Sequence, residues 1–336
     1  MKGKLKMPVD AVVAVTYRCN SRCQMCGIWK IKDYPEIPAR EYAKLPDSLR
    51  DINISGGEPF LRADLVEIIE TVRKSNPKAK ITVSSNGFLV ETIKNVLPQI
   101  VDVCSDVKLN ISLDGFGKKH EEVRGIEGGW HKVLETLIFA RDLLGKKNVK
   151  IAFTATGDNY KDLEKLRDFA KNLGIGFTMA VAQNSDFYFG GDLNKKVVQE
   201  RKNLAGLEAV FQKVIKKMLS SINPINWAWA YFVNGLLDVV KGKKAPLPSY
   251  SGQDFFYLDP RGDIYPSVMD NVIMGNITKI DDFKKFWFSK EAQAARDQLN
   301  GYEVDYWMIC TARTAFYRHW GRVVSWVVAK KLKLNS

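Results

Sequence analysis

The sequence is poor in cysteine and histidine and has no long apolar run. Five cysteines in 336 residues are too few for the disulfide framework of a small secreted protein. The first apolar run, at 11–15, is shorter than the apolar core of a signal peptide. No internal repeat or low-complexity tract is visible, and the hydrophobic content of 46% is ordinary for a globular chain. These absences predict a folded cytoplasmic protein.

Basic residues outnumber acidic ones. Lysine and arginine total 51 against 38 aspartates and glutamates, which gives a formal net charge of +13. Such an excess favours an acidic partner, such as nucleic acid, an anionic membrane surface or a phosphorylated substrate. The net charge does not choose among these partners.

Short β-rich runs alternate with helix-length segments in the first half of the chain. Strand–helix–strand units of this length form right-handed crossovers and a parallel sheet. The pattern predicts an α/β fold, either an open doubly wound sheet or a partial eight-fold barrel, with the site at the carboxyl ends of the strands. The predicted strands are 11–17, 51–55, 80–85, 107–113, 150–156 and 176–182, and the predicted helices are 61–75, 91–97, 130–144 and 161–173.

The pattern changes after residue 190. Two helical stretches, at 193–221 and 227–241, lead to a break rich in proline and glycine. A hairpin is predicted around Asp259-Pro-Arg-Gly262, followed by a helix near 281–299. We therefore expect four parts, namely a core at 1–190, a helical linker at 191–245, a small α+β extension at 246–310 and a basic C-terminal helix at 311–336.

Three of the five cysteines lie within eight residues, after the first predicted strand. Cys19, Cys23 and Cys26 have the spacing Cys-x3-Cys-x2-Cys, and thiolates are soft ligands that suit iron and zinc. Three ligands leave one metal position open. A structural zinc site normally closes with further cysteines or histidines at short spacing, which Cys104, Cys310 and the histidines lack. The pattern favours iron over zinc.

Three further motifs follow the next predicted strands in order. They are Ser55-Gly-Gly-Glu-Pro59, Ser84-Ser-Asn-Gly87 and Ser112-Leu-Asp-Gly115. With the cysteine motif, they make the chain resemble the radical SAM enzymes. The resemblance implies a partial (β/α)6 parallel barrel, one [4Fe-4S] cluster on the three cysteines and S-adenosylmethionine (SAM) on the fourth iron. It also implies an electron donor such as flavodoxin or ferredoxin. The donated electron cleaves SAM to a 5′-deoxyadenosyl radical, which abstracts hydrogen from the substrate.

The resemblance also implies which residues contact SAM. Gly56 and Gly57 allow close approach of the backbone to a ligand, and Glu58 can accept a hydrogen bond from an ammonium group. Arg124 suits a carboxylate, with a surface ion pair as the alternative. For the other motif residues, the alternative to a SAM contact is that they form the turns between strands and helices. The remaining expected contacts are Met25 beside the adenine, Ser112 and Asp114 at the ribose or methionyl carboxylate, and Ser85 and Asn86.

Residues 251–310 resemble the SPASM or twitch extension of radical SAM enzymes, which binds auxiliary iron–sulfur clusters. Its opening spacing is kept, but Ser251 and Ser267 stand where cysteines are expected, on either side of Gly262. Tyr306 replaces a further cysteine four residues before Cys310. Because one thiolate cannot hold a four-iron cluster, we predict the extension fold without its auxiliary cluster. This loss favours a redox-neutral or reductive reaction over a net oxidation.

The last stretch, 311–336, has six lysines and arginines and no acidic residue. This composition is typical of a C-terminal helix that docks on the protein and turns a basic face to solvent. It is also typical, through 312–333, of a helix that lies on an anionic membrane. The predicted apolar stripe is Ala312, Phe316, Trp320, Val323, Val324 and Val327.

The tail and the net charge favour a lipid or lipid-linked sugar as substrate, met at the inner face of the cytoplasmic membrane. A peptide or a small metabolite is the alternative substrate. A non-catalytic iron–sulfur or zinc protein and a nucleic-acid-binding protein are the alternative classes. Nucleic acid is the least favoured partner, because no RNA-binding module is visible.

Overall fold

The computed structural model describes residues 5–183, 203–299 and 304–335. Its first six strands pair in parallel and in sequence order. This order confirms the predicted open, partial barrel. The strands are β1 (Asp10–Thr16), β2 (Asp51–Gly56), β3 (Lys80–Ser85), β4 (Lys108–Ser112), β5 (Val149–Ala155) and β6 (Gly176–Val181), and the accompanying helices are α1 (Leu65–Ser75), α2 (Val90–Val103), α3 (Lys118–Arg124), α4 (Gly129–Leu144) and α5 (Leu163–Leu173).

The two faces of this parallel sheet differ in chemistry. Side chains such as Ile54 and Val83 are fully buried in the main hydrophobic core. The alternate positions are polar and partly exposed, as at Asn53, Ser84 and Asn110. Successive side chains of a strand point to opposite faces, so the polar set lines what we call the inner face of the barrel.

The C-terminal extension continues the same sheet. Strand β7 (Phe255–Leu258) pairs in parallel with β1, and β8 (Asp263–Tyr265) pairs antiparallel with β7 and with β9 (Gly275–Asn276). The hairpin predicted around Asp259 is therefore confirmed. The core and the extension share one nine-stranded sheet.

Several helices differ from the prediction in their bounds. Helix α2 continues past Pro98 to Val103, because buried Leu97 and Ile100 hold it against the core. The predicted helix at 193–221 begins outside the described residues and is seen as α6 (Leu204–Leu219), followed by α7 (Pro224–Val240). The predicted helix at 281–299 is two helices, α8 (Phe283–Trp287) and α9 (Lys290–Asp297), because Ser289 caps the second by accepting from the Ala292 N–H.

The C-terminal helix α10 (Ile309–Asn335) docks on the protein but kinks at His319, where φ is −127° and ψ is 28°. The kink changes the phase of the apolar stripe, so part of the predicted stripe was wrong. Val323 and Val327 are buried, whereas Trp320 and Val324 are 69% and 48% exposed. Among the described helices, none is long and apolar enough to cross a membrane.

Trp287 provides a test of the packing in the extension. It is fully buried against Phe256 and Phe283, and its indole N–H donates to the Lys6 carbonyl at 2.9 Å. We expect Trp287→Ala to lower the free energy of unfolding by about 3–5 kcal/mol, because it opens a cavity. Phe288 is 47% exposed, so Phe288→Ala should change that free energy by less than about 1 kcal/mol. Urea unfolding measures both, and equal losses in the two variants would contradict the packing described.

Candidate functional site

The cysteine motif lies on the loop that follows β1, at the carboxyl edge of the sheet. Cys23 is buried, and Cys19 and Cys26 are partly exposed. Burial raises the pKa of Cys19 to about 11 and that of Cys26 to about 12. Both are therefore neutral thiols in the metal-free chain at pH 7, and binding of a metal as thiolates releases protons.

The donor set of this loop is three thiols, Cys19, Cys23 and Cys26. Thiolates are the usual ligands of iron–sulfur clusters, and each binds a different iron. Three thiolates therefore fit a [4Fe-4S] cluster in which the fourth iron takes no protein ligand from this loop. In the described part of the chain, no three His, Cys, Asp or Glu side chains are placed to hold a single metal ion.

The end of α3 holds the cysteine loop in place. The N–H groups of Arg22 and Gln24 donate to the carbonyls of Arg124 and Val123, each at 3.0 Å, and the Ser21 hydroxyl donates to the same Arg124 carbonyl at 2.7 Å. The last carbonyls of a helix lack partners within the helix. The cysteine loop thus supplies the partners that the end of α3 needs.

The glycine pair after β2 packs flat against the start of the cysteine loop. A Cβ atom on Gly56 would lie 2.2 Å from the Thr16 carbonyl oxygen, and one on Gly57 would lie 2.1 Å from that of Arg18. Gly56 also has φ of +131°, which disfavours other residues. The backbone N–H of Gly57 donates to Thr16 at 2.7 Å. The structure therefore requires both glycines for backbone packing, and their contact with SAM stays a prediction.

Glu58 joins the loops that follow β2 and β3. Its carboxylate is fully buried and accepts from the Ser85 hydroxyl at 2.9 Å, the Asn86 N–H at 2.7 Å and the Phe60 N–H at 3.2 Å. Burial raises the pKa of Glu58 to about 7. The Asn86 side chain donates in turn to Asn20 in the cysteine loop at 2.7 Å. The structure thus brings Glu58, Ser85 and Asn86 together, while their predicted contacts with SAM remain untested.

Asp114 and Arg124 form a buried ion pair beside the cysteines. The Arg124 Nε donates to Asp114 Oδ2 at 2.5 Å, and Asp114 Oδ1 accepts from the Thr154 N–H at 2.7 Å. The Arg124 Nη1 lies 3.7 Å from Cys23 Sγ. In this structure the carboxylate that Arg124 binds is that of Asp114, and the positive charge of Arg124 lies next to the Cys23 thiol.

Two other predicted residues lie at the same edge. Met25 is buried with Cys23, Val123 and Ala182. Ser112 is the last residue of β4 and is partly exposed, at the register position beside Ala152.

Sequence reasoning missed the supporting role of His120. Its Nδ1 accepts from the Asp114 N–H at 3.0 Å, and burial lowers the pKa of His120 to about 3, so the ring is neutral. Asn159 supports the same loop by donating to the Asp114 carbonyl at 3.0 Å. The polar inner face was also missed, although the polar residues that alternate with Ile and Val in the predicted strands were a visible signal.

The residues that replace the expected cysteines of the extension come together in space. The Ser251 and Tyr306 hydroxyls are 3.1 Å apart, and Tyr306 donates to Asp270 at 3.3 Å. Ser267 donates to the same Asp270 oxygen at 2.5 Å. Cys310 is buried in an adjacent apolar cluster that includes Val268. Hydrogen bonds thus join the positions where the resemblance would place cluster ligands.

Solved structures share the fold of this chain. Among solved structures, the chain is similar to anSMEcpe with bound AdoMet, with a TM-score of 0.63 and 16% identity, covering 96% of both chains. It is also similar to Streptococcus suis SuiB bound to S-adenosylmethionine, with a TM-score of 0.61 and 16% identity, covering 86% of this chain and 68% of that one. These likenesses show the fold, which is the partial barrel described above.

The family follows from the sequence match. Residues 13–170 match the model of the radical SAM superfamily. Residues 13–170 therefore form a radical SAM domain, which confirms the prediction from the motifs, and a [4Fe-4S] cluster and SAM are the cofactors of that family.

Two curated relatives each match about half of this chain. One named "Probable GTP 3′,8-cyclase" from Methanococcus vannielii is 31% identical over 173 residues, which are 48% of this chain and 54% of the relative. The "GTP 3′,8-cyclase" of Aquifex aeolicus is 29% identical over 186 residues, 51% of this chain and 56% of the relative. The chain spans about half the length of these relatives.

Gly57 tests the close packing at the site. Gly57→Ala forces a Cβ atom into the Arg18 carbonyl, an overpacking that should lower the free energy of unfolding by about 1–3 kcal/mol. The shifted loop should also retain less iron after anaerobic reconstitution. Gly321→Ala is the matched control, because nothing lies within 4 Å of its Cβ and alanine favours a helix by roughly 1 kcal/mol. Unchanged stability and iron content in Gly57→Ala would contradict the packing.

Proposed function

We propose that this chain is a radical SAM enzyme that modifies an unactivated C–H position of its substrate. The observation that carries the proposal is the convergence at one sheet edge of the three cysteines with the motifs that follow β2, β3 and β4. When bound, the cluster supplies the electron that cleaves SAM to methionine and a 5′-deoxyadenosyl radical. The protein's own part is to bind, orient and shield these groups.

Cys19, Cys23 and Cys26 would hold the cluster, and Arg124 tunes its surroundings. The guanidinium next to Cys23 offsets negative charge on a thiolate-bound cluster, which makes acceptance of an electron easier. Asp114 holds that guanidinium in position through a buried ion pair. We propose that SAM lies beside this pair, against Gly56 and Gly57, as the family resemblance implies.

The inner face of the barrel is the proposed substrate surface. It carries amide and hydroxyl groups on neighbouring strands, and the Ser84 hydroxyl donates to the Asn53 amide oxygen at 2.8 Å. Such groups suit a polyhydroxylated substrate, such as a sugar or a nucleoside. A lipid-linked sugar, which the tail and charge favour, contains such a group. The GTP in the relatives' names contains one too, and it is the second candidate substrate.

The extension supports a single-cluster enzyme. Ser251, Ser267 and Tyr306 offer hydroxyls that are already hydrogen-bonded to one another and to Asp270, and hydroxyls are poor ligands for iron–sulfur clusters. Without an auxiliary cluster to accept a second electron, a redox-neutral or reductive reaction is favoured. The first electron would come from a donor such as flavodoxin or ferredoxin.

Iron counting and SAM cleavage test the proposal directly. After anaerobic reconstitution and addition of SAM and dithionite, we expect about four irons per chain and formation of 5′-deoxyadenosine. The Cys19→Ala, Cys23→Ala, Cys26→Ala triple variant should lose both, whereas Cys310→Ala should keep both. About eight irons would refute the loss of the auxiliary cluster, and a filled cluster that never cleaves SAM would refute the enzymatic role.

Arg124→Gln tests the charge beside Cys23. We expect SAM cleavage to fall about 10- to 100-fold, as for other losses of partners around a metal centre, and the reduction potential of the cluster to become more negative. Arg141→Gln is the control, because Arg141 pairs with its chain neighbour Asp142 in α4. An unchanged potential in Arg124→Gln, measured by spectroscopic titration, would show that Arg124 does not act on the cluster.

A further inference from the structure

The C-terminal helix has a second apolar face that the protein does not cover. Its inner face is docked, with Val323 and Val327 buried and Trp326 packed edge-on against Tyr231 of α7. Beside these docked side chains, a row of large apolar side chains is exposed. We call this row the outer stripe; its members are Tyr317 (67% exposed), Trp320 (69%), Val324 (48%), Val328 (52%) and Leu332 (67%).

The outer stripe follows the helical repeat and concentrates the exposed apolar surface of the molecule. From Trp320 onward its members recur every four residues, which places them along one side of a helix. Of the 13 large hydrophobic side chains that are exposed in the described residues, seven belong to α10. A row of this length is unusual on a soluble surface and marks an interaction site.

The charges on α10 divide at the kink. Before it, Arg313 pairs with Asp10 and Asp51, and Arg318 pairs with Asp254, so these arginines fasten the helix to the protein. After the kink the charged residues are Arg322, Lys330, Lys331 and Lys333, with no acidic residue among them. Every charged residue in this second half of the helix is therefore a cation.

A second apolar element lies beside the end of the stripe. Ile222, in the turn between α6 and α7, is 94% exposed, and Ile225, in the first turn of α7, is 65% exposed. The Lys331 ammonium lies 3.8 Å from the centre of the Trp227 ring, at the start of α7. This contact places the turn next to the last turns of α10.

We propose that the outer stripe, together with Ile222 and Ile225, binds the surface of an anionic phospholipid bilayer, with the second half of α10 lying in the plane of the interface. Exposed Trp and Tyr side chains favour the boundary between headgroups and acyl chains. Flanking lysines and arginines are attracted to anionic headgroups. An amphipathic helix with these two features is typical of a protein held on a membrane surface.

The charge pattern selects a membrane over a second copy of this chain. A symmetric dimer through the outer stripe brings the same cations of both copies together, with no acidic residue of the stripe to offset them. A bilayer supplies both the acyl chains for the stripe and the negative charge for its flanks. Binding does not depend on the cluster or on SAM, so it stands apart from the proposed catalysis.

The test is cosedimentation of the full chain, carrying its reconstituted cluster, with vesicles. Vesicles of phosphatidylcholine with phosphatidylglycerol are compared with pure phosphatidylcholine vesicles at low and high salt. We expect binding about tenfold tighter or more to the anionic vesicles, weakening with salt. Two triple variants separate the apolar and the charged contributions. Binding to anionic vesicles should fall about tenfold or more in the triple serine variant, which combines Trp320→Ser, Val324→Ser and Val328→Ser. The preference for anionic lipid should be lost in the triple glutamine variant, which combines Arg322→Gln, Lys330→Gln and Lys333→Gln.

A matched control separates the stripe from exposed apolar surface in general. Ile138 and Leu143 on α4 are 47% and 38% exposed, and their double serine variant should bind vesicles like the wild type. SAM cleavage by the triple serine variant should be unchanged, which distinguishes loss of membrane binding from loss of catalysis. Equal binding by the wild type and the triple serine variant would overturn the proposal. So would a wild-type dimer that this variant converts to monomer in sedimentation velocity, since the stripe would then serve a second copy.

Discussion

The buried ion pair between Asp114 and Arg124 connects the elements on which the site depends. Asp114 follows β4 and accepts from the backbone of β5, while Arg124 ends α3 and lies beside Cys23. The carbonyls at the end of α3 anchor the backbone of the cysteine loop. Breaking one partner of a buried pair leaves an uncompensated charge. The end of α3 therefore anchors the cysteine loop through its carbonyls and sets the electrostatics at one thiol through the Arg124 side chain.

Close backbone packing is the second constraint. The Gly56–Gly57 pair lies against the carbonyls of Thr16 and Arg18, and Glu58 ties the next loop to it through Ser85 and Asn86. The burial of Glu58 and its three internal donors make it a connector of loops. The loops after β1, β2 and β3 are thus fixed relative to one another by the protein's own hydrogen bonds.

The extension is joined to the core by the sheet. Its hairpin adds β7 to the edge of β1, so the extension is held by sheet hydrogen bonds and by buried aromatic side chains such as Trp287. Hydroxyl groups of Ser251, Ser267 and Tyr306 are hydrogen-bonded to one another and to Asp270. A buried polar network is tolerated when its members are paired.

The sequence alone determined the parallel barrel, because strand and helix patterns are local, and it located the cysteine loop and the motifs of the next three strands. The hydrogen bonds of Asn53, Ser84 and His120 could not be predicted, because their partners are brought to them by neighbouring strands and loops. The kink at His319, and with it the exposure of Trp320 and Val324, could not be read from helical spacing. Only the tertiary structure decided that Arg124 faces both Asp114 and Cys23, since that contact joins residues that are distant in the chain.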